Sequence, residues 1–199
     1  MERYEARILD LMEYYTVEEE FSKFEDETER EIRLELLEKV MNAAMDLDVH
    51  ILEYLYKKKM GELHDCGICF TAIEREPVVK AWDAMFDSLV SPEEKAAAKH
   101  YNDQFRWHLF SFELLKAVTG EEAKKRFDEV EKDELYLFHD YDDSCYRVTG
   151  ASELTTKAIE ELSEYGKFDS ADKYFFDPKG KWCYVVTHEA TCGPYFYRG

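Results

Sequence analysis

The stretch Tyr174-Phe-Phe-Asp-Pro-Lys-Gly-Lys-Trp-Cys-Tyr-Val-Val-Thr187 decides the fold class of this chain. Its two ends are rich in aromatic and β-branched residues, which favour strands. Asp177-Pro-Lys-Gly180 between them has the composition of a tight turn. We therefore predict a β-hairpin here, with Tyr195-Phe-Tyr197 as a further edge strand.

A second strand pair is predicted upstream of this hairpin. Leu135 and Leu137 alternate with Tyr136 and Phe138, and a turn at Asp142-Asp-Ser144 leads to a strand from Cys145 to Val148. A helix over residues 155–165 separates the two pairs. The fold class is therefore α+β, with a small, mainly antiparallel sheet covered by helices on one face.

Three helical segments are predicted before the first strand. Val78, Trp82 and Phe86 have helical spacing, residues 92–118 form a mainly helical stretch, and a short helix buries Ala123 and Phe127. We place a domain boundary before this region, which gives a helical region over residues 1–76 and an α+β domain over residues 77–199.

The first region is predicted to hold one long helix from Thr28 to Lys59, preceded by two short helices over residues 4–24. Thr28-Glu-Arg-Glu31 is a capping box, and Gly61 is positioned to take a left-handed cap. The apolar positions along it follow steps of three or four, which predicts a buried stripe. They are Ile32, Leu36, Val40, Ala44, Leu47, Ile51 and Leu55.

The charge of the chain excludes several classes of partner. Its 199 residues include 45 Asp and Glu against 26 Lys and Arg, a net charge of −19, and both regions are acidic. Nucleic acids and anionic membranes attract basic surfaces, so we predict that the protein binds neither directly. A basic protein is a better partner than these, but the stronger explanation of the charge is that the acidity only maintains solubility.

Location and cofactors follow from what the sequence lacks. No apolar run approaches the roughly 20 residues of a membrane span, and the first residues do not resemble a signal peptide. The five cysteines are an odd number, which disfavours a secreted disulfide framework. We predict a cytoplasmic protein with reduced thiols and no cofactor.

One segment has the spacing of a partial metal site. His64-Asp-Cys66-Gly-Ile-Cys69 offers an imidazole and two thiols, and a fourth ligand such as His188 or Cys192 would have to come from a distance. Because no second local pair exists, small buried thiols at a helix junction are the alternative that we favour.

Two further segments hold candidate site residues. Arg106, Trp107 and His108 lie in a helix dense in aromatic residues, where His108 is either a neutral core residue or lines an anion pocket with Arg106. Thr187-His-Glu-Ala-Thr-Cys-Gly-Pro-Tyr195 offers His188, Glu189 and Cys192 at the end of a strand. Cys192 could act as a nucleophile with His188 as its base and Glu189 or Asp140 as orienter, or the loop could be structural.

Several separated motifs resemble a bacterial family known as domain of unknown function 4275. They are Arg106-Trp-His-Leu-Phe-Ser-Phe112, Gly120-Glu-Glu-Ala123 before Phe127, the strand from Leu135 to Tyr141, Trp182-Cys-Tyr-Val-Val-Thr-His-Glu189 and Cys192-Gly-Pro-Tyr-Phe196. The resemblance spans about Val78 to Arg198 and leaves residues 1–76 outside. It implies no activity, but it draws attention to His188, Glu189, Cys192 and Gly193. Ala190-Thr191 replaces a Gly-Trp pair of close family members.

These observations support three functional hypotheses. The leading one is a protein-binding or regulatory module, such as an immunity or inhibitor-type protein, whose acidic surface docks a basic protein. The alternative is a small hydrolase-like enzyme that uses the loop from His188 to Cys192. A third hypothesis makes the N-terminal helices a homo-oligomerisation surface.

Overall fold

The computed structural model describes residues 25–99, 105–140, 143–164, 172–189 and 191–199, without the side chains of residues 44, 45, 47, 48 and 164. The two short helices predicted before Thr28 lie outside these residues. The chain divides into two compact units, Met1–Tyr54 and Leu55–Gly199. The predicted boundary at residue 77 stays a prediction.

The long helix, α1, is confirmed and extends beyond its predicted end. It runs from Glu27 to Asp65. Gly61 does not cap it, and the left-handed residue is Gly67, with φ of 87°. The N–H groups of Gly67 and Ile68 bond back to the carbonyls of His64 and Leu63 at 2.8 and 2.9 Å, which closes the helix end. None of the described helices is long and apolar enough to cross a membrane.

The predicted burial of the apolar stripe on α1 is wrong for four of its five described members, and only Leu55 is partly buried. Its exposed members are Ile32 at 54%, Leu36 at 56%, Val40 at 51% and Ile51 at 46%. Leu34 and Leu37, which also have helical spacing, are the more covered positions. Because apolar residues occupy two faces of this helix, their spacing alone could not select the buried face.

Within the described residues, the sheet has seven antiparallel strands in the order β1-β4-β3-β5-β6-β7-β2. The strands are β1 Cys69–Ala72, β2 Val118–Thr119, β3 Glu134–His139, β4 Cys145–Thr149, β5 Lys173–Asp177, β6 Trp182–Val186 and β7 Tyr195–Arg198. Both predicted strand pairs are confirmed. β1 and β2 were not predicted, and because β2 lies outside β7, the strand at Tyr195 is not the edge of the sheet.

Six helices are described, together with 3-10 turns at Asp87–Leu89 and Ala151–Glu153. After α1 they are α2 Arg75–Met85, α3 Pro92–Ala97, α4 His108–Ser111, α5 Gly120–Glu129 and α6 Thr156–Glu164. The prediction of a mainly helical stretch over residues 92–118 is wrong for its second half. Glu113, with φ of 56°, ends α4, and the chain then continues towards β2.

Helices cover both faces of the sheet, so the prediction of one covered face is also wrong. On one face, Phe127 of α5 and Ile159 of α6 pack with Leu135 and Tyr184 of the sheet. On the other face, Trp82 of α2 packs with Phe138, Tyr174 and Val185, whose side chains point away from the first core. The alternation of β strands explains the two cores, since successive side chains point to opposite faces.

Candidate functional site

The candidate site lies where β5 begins and β6 ends. These strands are antiparallel with Lys173 opposite Val186, so Asp172 before β5 and His188 after β6 reach the same end of the sheet. Asp172 is buried at 2% exposure, whereas the side chain of His188 is 35% exposed. A buried carboxylate thus lies beneath a histidine that solvent can reach.

Asp172 holds His188 through two hydrogen bonds to one oxygen. Oδ1 accepts from the His188 backbone N–H at 2.8 Å and pairs with Nδ1 at 2.9 Å. Because a carboxylate accepts hydrogen bonds, Nδ1 carries a hydrogen, and in the neutral ring Nε2 is then the acceptor. This is the arrangement in which a histidine can act as a general base or bind a polar group.

Trp107 extends this pair into a buried hydrogen-bonded network. Its indole Nε1–H donates to Asp172 Oδ2 at 3.1 Å, and its backbone N–H donates to the hydroxyl of Tyr174 at 3.1 Å. Tyr174 in turn donates to Asp140 Oδ2 at 2.7 Å. Burial, followed by the neighbouring Asp140, raises the pKa of Tyr174, so the phenol remains the donor.

Arg106 is occupied by protein carboxylates. Its Nε lies 2.8 Å from Asp83 Oδ1, and its Nη1 lies 2.8 Å from Asp140 Oδ1. Although burial opposes its charge, the hydrogen bonds and charges of these two carboxylates raise the pKa of Arg106 overall. These contacts support a structural role for Arg106 within the network more than the predicted role in an anion pocket.

His108 lies beside this network on α4. Its ring stacks on Phe112 with centroids 4.6 Å apart, and Nδ1 lies 3.0 Å from Ser111 Oγ. The rings of His108 and Trp107 are 4.1 Å apart at their centroids. The three residues predicted together, Arg106 to His108, therefore contact one network, but each has different partners.

The loop after β6 pairs Cys192 with Glu189. The Cys192 thiol donates to Glu189 Oε2 at 3.3 Å, and its backbone N–H donates to the Glu189 carbonyl at 3.0 Å. The hydrogen bond to this carboxylate raises the pKa of the thiol. A nucleophilic cysteine needs the opposite shift, since the thiolate is the reactive form.

The chain turns sharply after Cys192. Gly193 has φ of 85°, and its peptide bond to Pro194 is cis. The single hydroxyl hydrogen of Thr187 is shared between the carbonyl oxygens of Glu189 and Cys192, which both lie within hydrogen-bond distance of Oγ1, and this contact ties the two ends of the loop together. The described partners of the His188 ring are Asp172, Phe105, Trp107 and Glu189, so the fold gives His188 a carboxylate that was not predicted for it.

The Cys-x-x-Cys segment spans the turn from α1 to β1. His64 is in the last turn of α1, Cys66 is exposed in the turn, and Cys69 begins β1. Within the part of the chain that the structure describes, no three His, Cys, Asp or Glu side chains are grouped to hold a metal ion.

Asp172 was not predicted as a site residue, although the sequence contains a signal for it. The predicted hairpin aligns the start of its first strand with the end of its second, and Asp172 and His188 flank these ends. The hairpin register alone is therefore enough to match this carboxylate to the histidine.

Comparison with known proteins identifies the family. The family model described as "Domain of unknown function (DUF4275)" matches residues 45–196. No curated protein and no solved structure gives a significant match. The chain therefore belongs to this family, which confirms the resemblance. The match begins at residue 45, so the prediction that residues 1–76 lie outside the family is wrong for residues 45–76, which include the C-terminal part of α1.

Proposed function

We propose that this member of the DUF4275 family is a protein-binding module that docks a basic partner protein through α1. The proposed surface is the α1 ridge, which consists of Ile32, Leu36, Val40, Ile51 and Tyr54. The single observation that carries the proposal is the exposure of these apolar side chains, between 46% and 64%. Contiguous exposed apolar surface typically marks an interaction site.

The spacing of the ridge places it on one face of the helix. Ile32, Leu36 and Val40 are separated by four residues, and Ile51 follows Val40 after eleven residues, which is about three turns. Tyr54 lies one turn further. A partner helix or groove can therefore contact all five side chains at once.

An acidic flank runs beside the ridge and indicates the charge of the partner. It consists of the exposed residues Glu31, Glu35, Glu38 and Asp46. From residue 27 to residue 54 the helix has eight acidic residues against three basic ones. A second copy would bring like charges together, whereas a basic protein complements the flank and associates faster at low salt.

The test compares two exposed apolar surfaces of the same chain. The ridge variant is Leu36→Ser with Val40→Ser, and the matched control is Leu89→Ser, since Leu89 is 55% exposed on the other unit. Proteins captured by the wild type and the control but not by the ridge variant are then purified and titrated by calorimetry. We expect a basic protein that binds with one-to-one stoichiometry, weakens at higher salt, and loses about tenfold or more in affinity with the ridge variant.

Two results would oppose this proposal. Retention of every wild-type partner by the ridge variant would place the docking surface elsewhere. A wild-type dimer in sedimentation experiments that the ridge variant abolishes would make a second copy the occupant.

The Asp172–His188 pair favours a second candidate function, a hydrolase-like activity with His188 as general base. The pair supplies an oriented imidazole, and the raised pKa of Cys192 favours water over this thiol as the nucleophile. A panel of nitrophenyl esters and phosphates tests it. Activity that falls about a hundredfold or more in His188→Gln, with the fold retained, would support this candidate.

A further inference from the structure

We infer that a cleft at the β2 edge of the sheet binds a small organic oxyanion. The cleft, which we call the β2–β7 cleft, has a volume of about 410 Å³ and is lined by Lys116, Arg126 and Arg198 together with one acid, Glu129. This volume is in the range of small-molecule sites. Three cationic side chains therefore line one cleft, although the chain as a whole has a net charge of −19.

The strand register brings the chain segments that carry two of these cations, Lys116 and Arg198, to the same edge of the sheet. β2 is antiparallel to β7, with Val118 opposite Phe196 and Thr119 opposite Tyr195. Continuing this register by two residues would place Lys116 opposite Arg198. β2 instead begins at Val118, and the edge of the sheet opens into the cleft at this point.

Like charges at opposite positions of neighbouring strands are destabilising unless something neutralises them. Among the described residues, no carboxylate lies within 4.0 Å of Lys116 or Arg198, although most other described cations have such a partner. Arg126 donates a hydrogen bond through its Nε to Glu122 Oε1 at 2.7 Å, and among the described residues its terminal nitrogens make no hydrogen bond to a carboxylate. An oxyanion bound between these three groups would neutralise the repulsion between the cations that line the cleft.

The rest of the lining indicates what the anion is attached to. Val118 is 38% exposed, and Val130 and Phe196 complete an apolar side of the cleft. A carboxylate or phosphate with a small aromatic or aliphatic group would place its charge on the cations and its apolar part on these side chains. Glu129 limits the negative charge that the cleft can accept.

The test uses phenyl phosphate, benzoate and inorganic phosphate as probes. Each is titrated into the full chain at low ionic strength and followed by amide NMR shifts and calorimetry. We expect saturable shifts at residues 116–118, 126–130 and 196–198, with either aromatic probe binding more tightly than inorganic phosphate. The tighter of the two aromatic probes identifies the anion as phosphate or carboxylate.

Four variants make the assignment specific. Lys116→Ala and Arg198→Ala should each weaken binding of the tighter probe by about tenfold or more, because each removes a charged hydrogen-bond donor. Glu129→Gln should strengthen binding, since it removes a repulsive charge. Lys179→Ala removes the same charge from the β5–β6 turn outside the cleft and should change affinity by less than about twofold.

Three results would overturn the inference. They are the absence of saturable shifts with any probe, shifts that map outside the cleft, and an equal weakening by Lys179→Ala and Arg198→Ala. The last result would mean that the probes respond only to net charge. Circular dichroism spectra and melts of each variant separate loss of the site from loss of the fold.

Discussion

Asp172 accepts both the backbone N–H and the Nδ1–H of His188 through the same carboxylate oxygen, at 2.8 and 2.9 Å. The pair joins the first residue before β5 to a residue two positions after β6. It therefore fixes the loop as well as the imidazole, and it connects both to Trp107 through the second oxygen. The role of the pair can be tested without knowing a ligand.

Asp172→Asn should release the histidine and destabilise the fold. The carboxamide that replaces the carboxylate has only one acceptor oxygen. It cannot accept from both Nδ1 of His188 and the indole N–H of Trp107, as the two oxygens of Asp172 do. We expect the free energy of unfolding to fall by about 1–3 kcal/mol, the range for breaking hydrogen bonds to a buried charged group. Urea unfolding followed by tryptophan fluorescence measures it. NMR of the imidazole nitrogens should show the Nδ1–H tautomer lose its preference.

The matched control for this variant is Asp143→Asn, because Asp143 is exposed. It should change the unfolding free energy by less than about 0.5 kcal/mol. Equal stability of Asp172→Asn and the wild type would show that the buried carboxylate contributes nothing to the loop.

The reactivity of Cys192 should have a distinctive pH dependence. Glu189 raises the pKa of the thiol, so the thiolate fraction near neutral pH is smaller than that of a free cysteine. Iodoacetamide labelling, mapped by mass spectrometry, should therefore reach its half-maximal rate at a higher pH than a cysteine-containing peptide does. In Glu189→Gln the midpoint should move down, since the negative charge is removed.

Fast labelling of Cys192 at neutral pH would contradict this prediction and would support the mechanism in which Cys192 is the nucleophile. The exposed Cys66 provides an internal reference for iodoacetamide access in the same sample. Its labelling should be unaffected by Glu189→Gln.

The exposure of the α1 ridge predicts unequal effects of substitutions along one helix. Val40 is 51% exposed and Leu63 is 6% exposed. Val40→Asp should therefore change the unfolding free energy by less than about 0.5 kcal/mol, whereas Leu63→Ala should reduce it by about 2–5 kcal/mol. Urea titrations followed by far-UV circular dichroism measure both. A loss of several kcal/mol in Val40→Asp would show that the ridge is buried within the protein in solution.

The sequence predicted the parts of this fold that depend on local patterns. The hairpin around Asp177-Pro-Lys-Gly180 and the presence of one long helix follow from turn composition and from apolar periodicity, and both are confirmed, although α1 ends at Asp65 and not near Lys59. β2 has only two residues, and β1 has four, so neither offers enough alternation to be recognised. Their strand conformation depends on pairing with distant partners, which a local pattern does not contain.

The candidate site was also predictable only in part, because some of its contacts join residues that are distant in the sequence. The polar groups of a loop after a strand indicate His188 and Cys192 as candidate residues, but the acids predicted beside His188 are Glu189 and Asp140, not Asp172. The structure instead pairs His188 with Asp172, sixteen residues away, and gives Cys192 the carboxylate of Glu189. The Asp172–His188 pair follows from the register of the predicted hairpin, whereas the hydrogen bond between Trp107 and Asp172, which are 65 residues apart, depends on the tertiary fold.

Two glycines near the end of α1 should respond to alanine in opposite directions. Gly150 has φ of 66°, and a Cβ there would lie 2.1 Å from the carbonyl oxygen of Gly67. This close approach places β4 against the turn that leads from α1 to β1. Gly150→Ala should therefore lower the unfolding free energy by several kcal/mol, because strained backbone and a backbone clash act together.

Gly61 provides the control, since it lies inside α1 and a Cβ there meets nothing within 4 Å. Gly61→Ala should raise the unfolding free energy by about 0.5–1 kcal/mol through helix propensity. Urea unfolding of both variants, followed by far-UV circular dichroism, measures the two effects in the same unit of the chain. If Gly150→Ala were as stable as the wild type, the close approach of β4 to the helix-ending turn would be absent in solution. If Gly61→Ala were destabilised, α1 would end near Gly61, as the sequence had predicted, because alanine is disfavoured in a left-handed cap.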